Sequence, residues 1–248
     1  NAQVYENRAA THGGGIHASS TITVTGGAVF QNTGQYGGGI HNAGKLVLNQ
    51  SYVYRNRGTT NAGGIYATDI ILFQSSVYSN SADTSHGGGI YGATTISITQ
   101  SSVLSNTAGG SGSGGGIFRG TDIAIVDSII SGNSSSNYGG GIWKSGALAL
   151  TRVTLAGNRA QYGGAIHHDG GTLTTSDSTM SDNVATTHSG GAINANAGTV
   201  TLFGSRFLQN SAHNSGGAIN MAAPVHLLAT HTSFTNNTAP SGAGIYTL

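Results

Sequence analysis

Ten times along this chain a triplet of glycine or alanine is followed by isoleucine, and each copy follows an asparagine with an apolar residue three places before it. The isoleucines are Ile16, Ile40, Ile65, Ile90, Ile117, Ile142, Ile166, Ile193, Ile219 and Ile245, spaced 24 to 27 residues apart. The asparagines keep the same rhythm: Asn7, Asn32, Asn56, Asn80, Asn106, Asn133, Asn158, Asn183, Asn210 and Asn237. Self-similarity at this period marks a solenoid, in which a repeat buries its apolar face only against its neighbours. One continuous array over residues 1–248 is expected, as a single β-solenoid domain.

Within a repeat, apolar residues alternate with small or polar ones, the period of a half-buried strand. The position three before asparagine is always apolar, from Val4 and Val29 to Phe207 and Phe234, and pairs such as Ile96/Ile98 and Leu148/Leu150 mark another strand. A helix is excluded because β-branched residues and glycines stand where strong helix formers would be needed. Three strands per coil predict an all-β, right-handed, single-stranded parallel β-helix of about ten coils, without a capping helix. Stacked at the strand spacing it is a rod on the order of 45 Å long. The asparagines are expected at a corner, where their tolerance of left-handed backbone and their amide ladder would serve structure.

Composition narrows the function. Glycine is abundant, but 25 of the 42 glycines lie in the triplets, so geometry places them and the disorder reading fails. A net charge of +1 and 7% charged residues give no footprint for nucleic acid or an anionic membrane. Cysteine is absent, which excludes disulfides and cysteine-based metal or nucleophile chemistry. No apolar run approaches membrane-spanning length.

The pairing of GGAI with FxxN, as in Gly216-Gly217-Ala218-Ile219 with Phe207-Leu208-Gln209-Asn210, resembles the repeats of chlamydial polymorphic membrane proteins and related bacterial β-helical surface proteins. Gly163-Gly164-Ala165-Ile166, Gly190-Gly191-Ala192-Ile193 and Phe234-Thr235-Asn236-Asn237 repeat the pattern. The resemblance implies an extracellular or surface-displayed passenger, often adhesive.

Equivalent positions of stacked coils become neighbours, so candidate sites are columns. Six before the asparagines lie Gln50, Gln74, Gln100, Asp127, Arg152 and Asp177. An Asp–Arg–Asp column could serve a polysaccharide lyase or hydrolase. It reads better as a charge-alternating ladder across the sheet, because the guanidinium already neutralises the carboxylates. Immediately after the isoleucines runs an outward column that includes His17, His41, Tyr66, Tyr91, Phe118, Trp143 and Tyr246. Its aromatic members are expected to bind sugar or another rod, or else to stiffen the sheet. His17 and His41 lack a third ligand in their column, so no metal or cofactor is expected. No catalytic residue is assigned.

Both ends read as bare repeats. Either the chain is cut from a longer array, or Val4, Asn7 and Ile16 of one copy meet Phe234, Asn237, Ile245 and Tyr246 of another, head to tail. The favoured expectation is a non-enzymatic extracellular structural protein that assembles end to end into a fibre, with itself as partner. An adhesin passenger for glycans or cell surfaces comes second, and a polysaccharide-cleaving enzyme third.

Overall fold

The computed structural model describes residues 2–248. It contains strands and turns but, among the described residues, no helix. All strand pairing is parallel and joins each coil to the next, so about ten coils stack into a β-solenoid with three sheets. The first sheet runs over ten strands, from Gln3–Tyr5 to Ser233–Thr235. In register along it stand Val4, Val29, Val53, Val77, Val103, Ile130, Leu155, Met180, Phe207 and Phe234. The second sheet, of short strands after the asparagines, has eight members. The third carries the repeat isoleucines and the following apolar pair, as one strand in Ile40–Asn49 and Ile65–Phe73 and as two segments in most other coils.

Three corners turn each coil, and each is built on a left-handed residue. Between the first and second sheets that residue precedes the asparagine, as at Arg55, Ser79, Ser105 and Gln209. The asparagine itself is not left-handed, which corrects the sequence expectation. It instead points inward and is buried, at 0% exposure for Asn106, Asn133 and Asn158. Each Nδ2 donates to Oδ1 of the next asparagine at 2.9–3.1 Å, from Asn7 to Asn237. The same Oδ1 also accepts the preceding asparagine's backbone N–H, as Asn133 does from Asn106 at 2.9 Å. A second donation reaches the carbonyl of the apolar residue one coil back, Val77 for Asn106 at 3.0 Å. An amide is needed because a carboxylate could accept but not donate.

The corner between the third and first sheets repeats the device with serine. Left-handed Gln50, Gln74, Gln100, Asp127 and Asp177 precede Ser51, Ser75, Ser101, Ser128 and Ser178. Ser75 Oγ accepts the backbone N–H of Ser51 at 3.1 Å, and Ser101 Oγ that of Ser75 at 3.0 Å.

The triplet makes the third corner, and its three positions are small for three reasons. Gly139 takes the left-handed turn at φ 62°. A Cβ on Gly140 would lie 2.5 Å from backbone atoms of Arg159 and Gly164, so another backbone approaches there. Gly141 lies over the Asn158 amide, and alanine holds the equivalent place at Ala165, Ala192 and Ala218.

The core is one continuous apolar column with a single charged intruder. Lys144 has 0% exposure and stands in the inward column that includes His168, Ala195 and Met221. Its Nζ donates to the carbonyls of Gly146, of Gly170 at 3.1 Å and of Thr172 at 2.9 Å.

Candidate functional site

The column after the isoleucines leaves the outer face of the third sheet, but it is not an open strip. Tyr91 and Phe118 retain only 9% and 7% exposure, whereas Tyr66, Trp143 and Tyr246 are half-buried. The correction has a specific cause. The left-handed start of each triplet folds the residue before it back over the sheet, forming an outer column: His12, Tyr36, Asn61, His86, Ser113, Tyr138 and Tyr162, then serine at Ser189, Ser215 and Ser241. An outer ring packs on the inner ring of the next coil. His12 meets His41 with centroids 4.5 Å apart, His86 stacks on Phe118 at 4.1 Å, and Tyr138 meets His167 at 4.5 Å. Inner rings also stack on one another, His41 on Tyr66 at 4.9 Å, Tyr66 on Tyr91 at 4.6 Å and Phe118 on Trp143 at 4.6 Å.

At Trp143 the outer column supplies Ser113, which has no ring. A cleft of about 340 Å³ opens there, lined by His86, Phe118, Tyr138, Trp143 and His167, with Ser111, Asn137, Asp169 and Asn196 at its polar edge. Asn196 Nδ2 donates to Asp169 Oδ1 at 3.1 Å and lies 3.3 Å from His167 Nε2. Asn194 continues the network, 3.2 Å from His167 Nδ1 and accepting from Asn220 Nδ2 at 2.8 Å. Burial holds the imidazoles neutral: it brings His167 down to about 4, against the pull of Asp169, and lowers His86 with help from Arg119.

The other sequence candidates sit elsewhere. Asp127, Arg152 and Asp177 lie at a corner on left-handed residues, not across a sheet as expected. Arg152 grips Asp127 through Nε at 2.6 Å and Nη2 at 2.9 Å, holding that carboxyl below the usual range, while Asp177 acts on Arg152 only at longer range. The glutamines above continue the ladder, Gln50 to Gln74 at 3.0 Å and Gln74 to Gln100 at 3.1 Å. His17 and His41 meet at 3.1 Å through their Nδ1 atoms. Among the described residues, no group of three or more histidines, cysteines or carboxylates is arranged to hold a metal ion. Val4, Asn7 and Ile16 lie on the first coil and Phe234, Asn237, Ile245 and Tyr246 on the last, so one chain keeps them at opposite ends of the stack.

Sequence reasoning missed three features: the outer column, the buried Lys144 and a second aromatic ladder. The last stacks Tyr5, Phe30, Tyr54 and Tyr78 on the outer face of the first sheet at 4.8–5.0 Å. Every one of these follows from a fixed offset, the outer column lying four residues before each isoleucine.

The model of the Chlamydia polymorphic membrane protein repeat matches residues 127–145 and 231–248. Both stretches are similar to that repeat. Each match runs from a left-handed corner residue, Asp127 or His231, through the asparagine and triplet into the third sheet. The first contains Trp143. Together with the parallel solenoid, the two matches bear out the resemblance read from the sequence, and the repeat implies association with the outer membrane or cell surface. No curated protein and no solved structure matches the chain. Among the described residues no helix is long and apolar enough to cross a membrane.

Proposed function

We infer that this chain is a non-enzymatic, surface-displayed β-solenoid passenger whose adhesive contact lies on the aromatic side of the third sheet. The observation that carries this reading is the polymorphic membrane protein repeat on a rod whose double aromatic column opens into a cleft beside Trp143. Rigid aromatic surface with polar edges is the composition of a recognition site. Against catalysis stands the engagement of Asp127: a carboxylate gripped by two guanidinium nitrogens is a poor general acid or base. Two measurements test the reading. Antibody against the rod should label intact producing cells, and purified rod should bind a target cell layer saturably. Absence of both would overturn it, and release of new chain ends from a polysaccharide panel, lost in Arg152→Ala, would establish an enzyme instead.

End-to-end assembly is a second reading, supported by a separate observation. The asparagine ladder is directional, each amide donating toward the following coil. Asn237 would therefore donate to Asn7 of a second copy only in a parallel, head-to-tail stack, which is the open geometry of a filament. Electron microscopy of the purified chain would show filaments with an axial repeat on the order of 45 Å, set by the strand spacing. Uniform single rods across concentration and salt would dismiss this reading.

A further inference from the structure

The outer column lacks a ring at Asn61, Ser113, Ser189, Ser215 and Ser241, and at Ser113, between the rings of His86 and Tyr138, this leaves a gap about one ring thick beside Trp143. Coils stack about 4.8 Å apart, so His86 and Tyr138, two coils from one another, bound a space that a single additional ring would fill. Ser113 is fixed in place, its backbone N–H donating to His86 Nδ1 at 3.1 Å. The Trp143 indole, which an outer ring would otherwise cover, becomes a wall of the gap. At about 340 Å³ the cleft lies at the small end of the range for small-molecule sites.

We propose that this cleft binds one pyranose ring of a neutral or N-acetylated saccharide, seated against Trp143 in the place of the missing outer ring. The C–H face of a sugar suits an indole face, whose quadrupole is negative. The edge is populated for hydroxyls: the Asp169 carboxylate and the Asn196 Oδ1 accept, the amide of Asn137 donates and accepts, and Ser111 does both. A purely aromatic ligand would leave these groups without new partners. The same charges select against acidic sugars. No lysine or arginine lines the cleft, its imidazoles are neutral, and Asp169 repels an anion. The Asp169–Asn196–His167–Asn194 network holds one wall before any ligand arrives, which lowers the ordering cost of binding.

The proposal rests on the adhesive reading, and one probe separates the two. Trp143 is the only tryptophan of the chain, so emission excited at the red edge of the indole band reports on this cleft alone. The full chain is titrated with neutral disaccharides of glucose, galactose, mannose and N-acetylglucosamine, and with sialyllactose and digalacturonate. At least one neutral sugar should shift the emission saturably below about 10 mM, well within the reach of weak single-site binding, while the acidic pair leaves it unchanged. Ser113→Tyr should supply the missing ring and abolish the response without lowering the melting temperature. Asn196→Ala should weaken binding roughly tenfold, the scale of one lost hydrogen bond in a desolvated site. A flat response to every neutral sugar, a stronger response to the acidic pair, or an undiminished one in Ser113→Tyr would overturn the proposal. A flat sugar response with cell attachment intact would leave the adhesive reading standing without the sugar site, and a sugar response without cell attachment would have the converse meaning.

Discussion

Lys144 and His168 are register partners on adjacent coils, both wholly inside the solenoid. The lysine is held by three backbone carbonyls, whereas neither ring nitrogen of His168 has a hydrogen-bond partner. Two ionisable groups thus share a column that is small or apolar at Ala67, Gly92, Ala195 and Met221. Their burial makes the fold sensitive to pH in two separate windows.

In the alkaline window, burial pushes the Lys144 ammonium down from 10.5 to about 7. Between those values the unfolded chain binds the extra proton, so stability rises as pH increases from 7 toward 10. Thermal unfolding at pH 7, 8, 9 and 10 should show that rise, and Lys144→Met should remove most of it. An identical slope in the variant would place the proton elsewhere.

The acid window belongs to histidine. Burial lowers His168 to about 3, with help from Lys144 and His167, and lowers His41 and His167 to about 4. Their unfolded values lie near 6.5, so the unfolded chain takes up protons first, and stability present above that pH is lost as pH falls toward 4. Denaturant titrations at pH 7 and 5 should show this loss, and His168→Leu should reduce the proton uptake by close to one.

Loss of a ladder amide should be costly at the centre and slight at the end. Asn106→Ala strands the Val77 carbonyl and the Asn80 backbone N–H, at about 1–3 kcal/mol for each orphaned buried group. Asn7 is exposed, and Asn7→Ala should cost less than about 1 kcal/mol by the ordinary range for surface positions. Equal losses at both sites, measured by urea unfolding, would show that burial does not govern the ladder.

Within one triplet, substitution should separate the three reasons for smallness. Gly140→Ala forces a Cβ against the backbones of Arg159 and Gly164 and should cost about 3 kcal/mol or more, as overpacking of a closed site does. Gly139→Ala adds a Cβ pressed against the Ile142 carbonyl oxygen to the penalty of a left-handed L-residue and should cost a comparable amount, although Ala62 sustains the equivalent corner at φ 53°. Gly141→Ala should be mildest, since three other coils carry alanine there. Melting temperatures of the three variants order these effects.

The repeat made the solenoid legible because period and strand alternation agree at every coil. The corners were less so. Asparagine looked like the turning residue because it tolerates left-handed backbone, but the turn falls on whatever precedes it, even Arg55 or Gln31, since any exposed side chain can sit there. Lys144 was recoverable by alternation: Ile142 faces in, Trp143 out, Lys144 in. Its carbonyl partners come from residues two to 28 positions away and leave no local signal. The cleft was half visible, as a serine at Ser113 where neighbouring repeats have histidine or tyrosine, after the longest loop between an asparagine and its triplet, Asn106 to Gly114. What could not be read was the fold-back that lays the outer column over the inner one, because it depends on the three-dimensional path of the left-handed corner.

Donor and acceptor sets in the asparagine ladder are the same at every level, and each coil pairs only with the one on either side. Excising or duplicating a whole coil would therefore restore every contact one level along. Recombination within the gene for such a chain would change the reach of the protein in steps of about 5 Å, one strand spacing at a time, and leave its cross-section unaltered. Slippage by a single codon between asparagine and strand would instead turn inward residues outward. Inherited length differences in this architecture are thus quantised, and intermediate lengths are confined to the loop before each triplet and the turn between each isoleucine and the following apolar pair, the two stretches in which the spacing from 24 to 27 residues already varies.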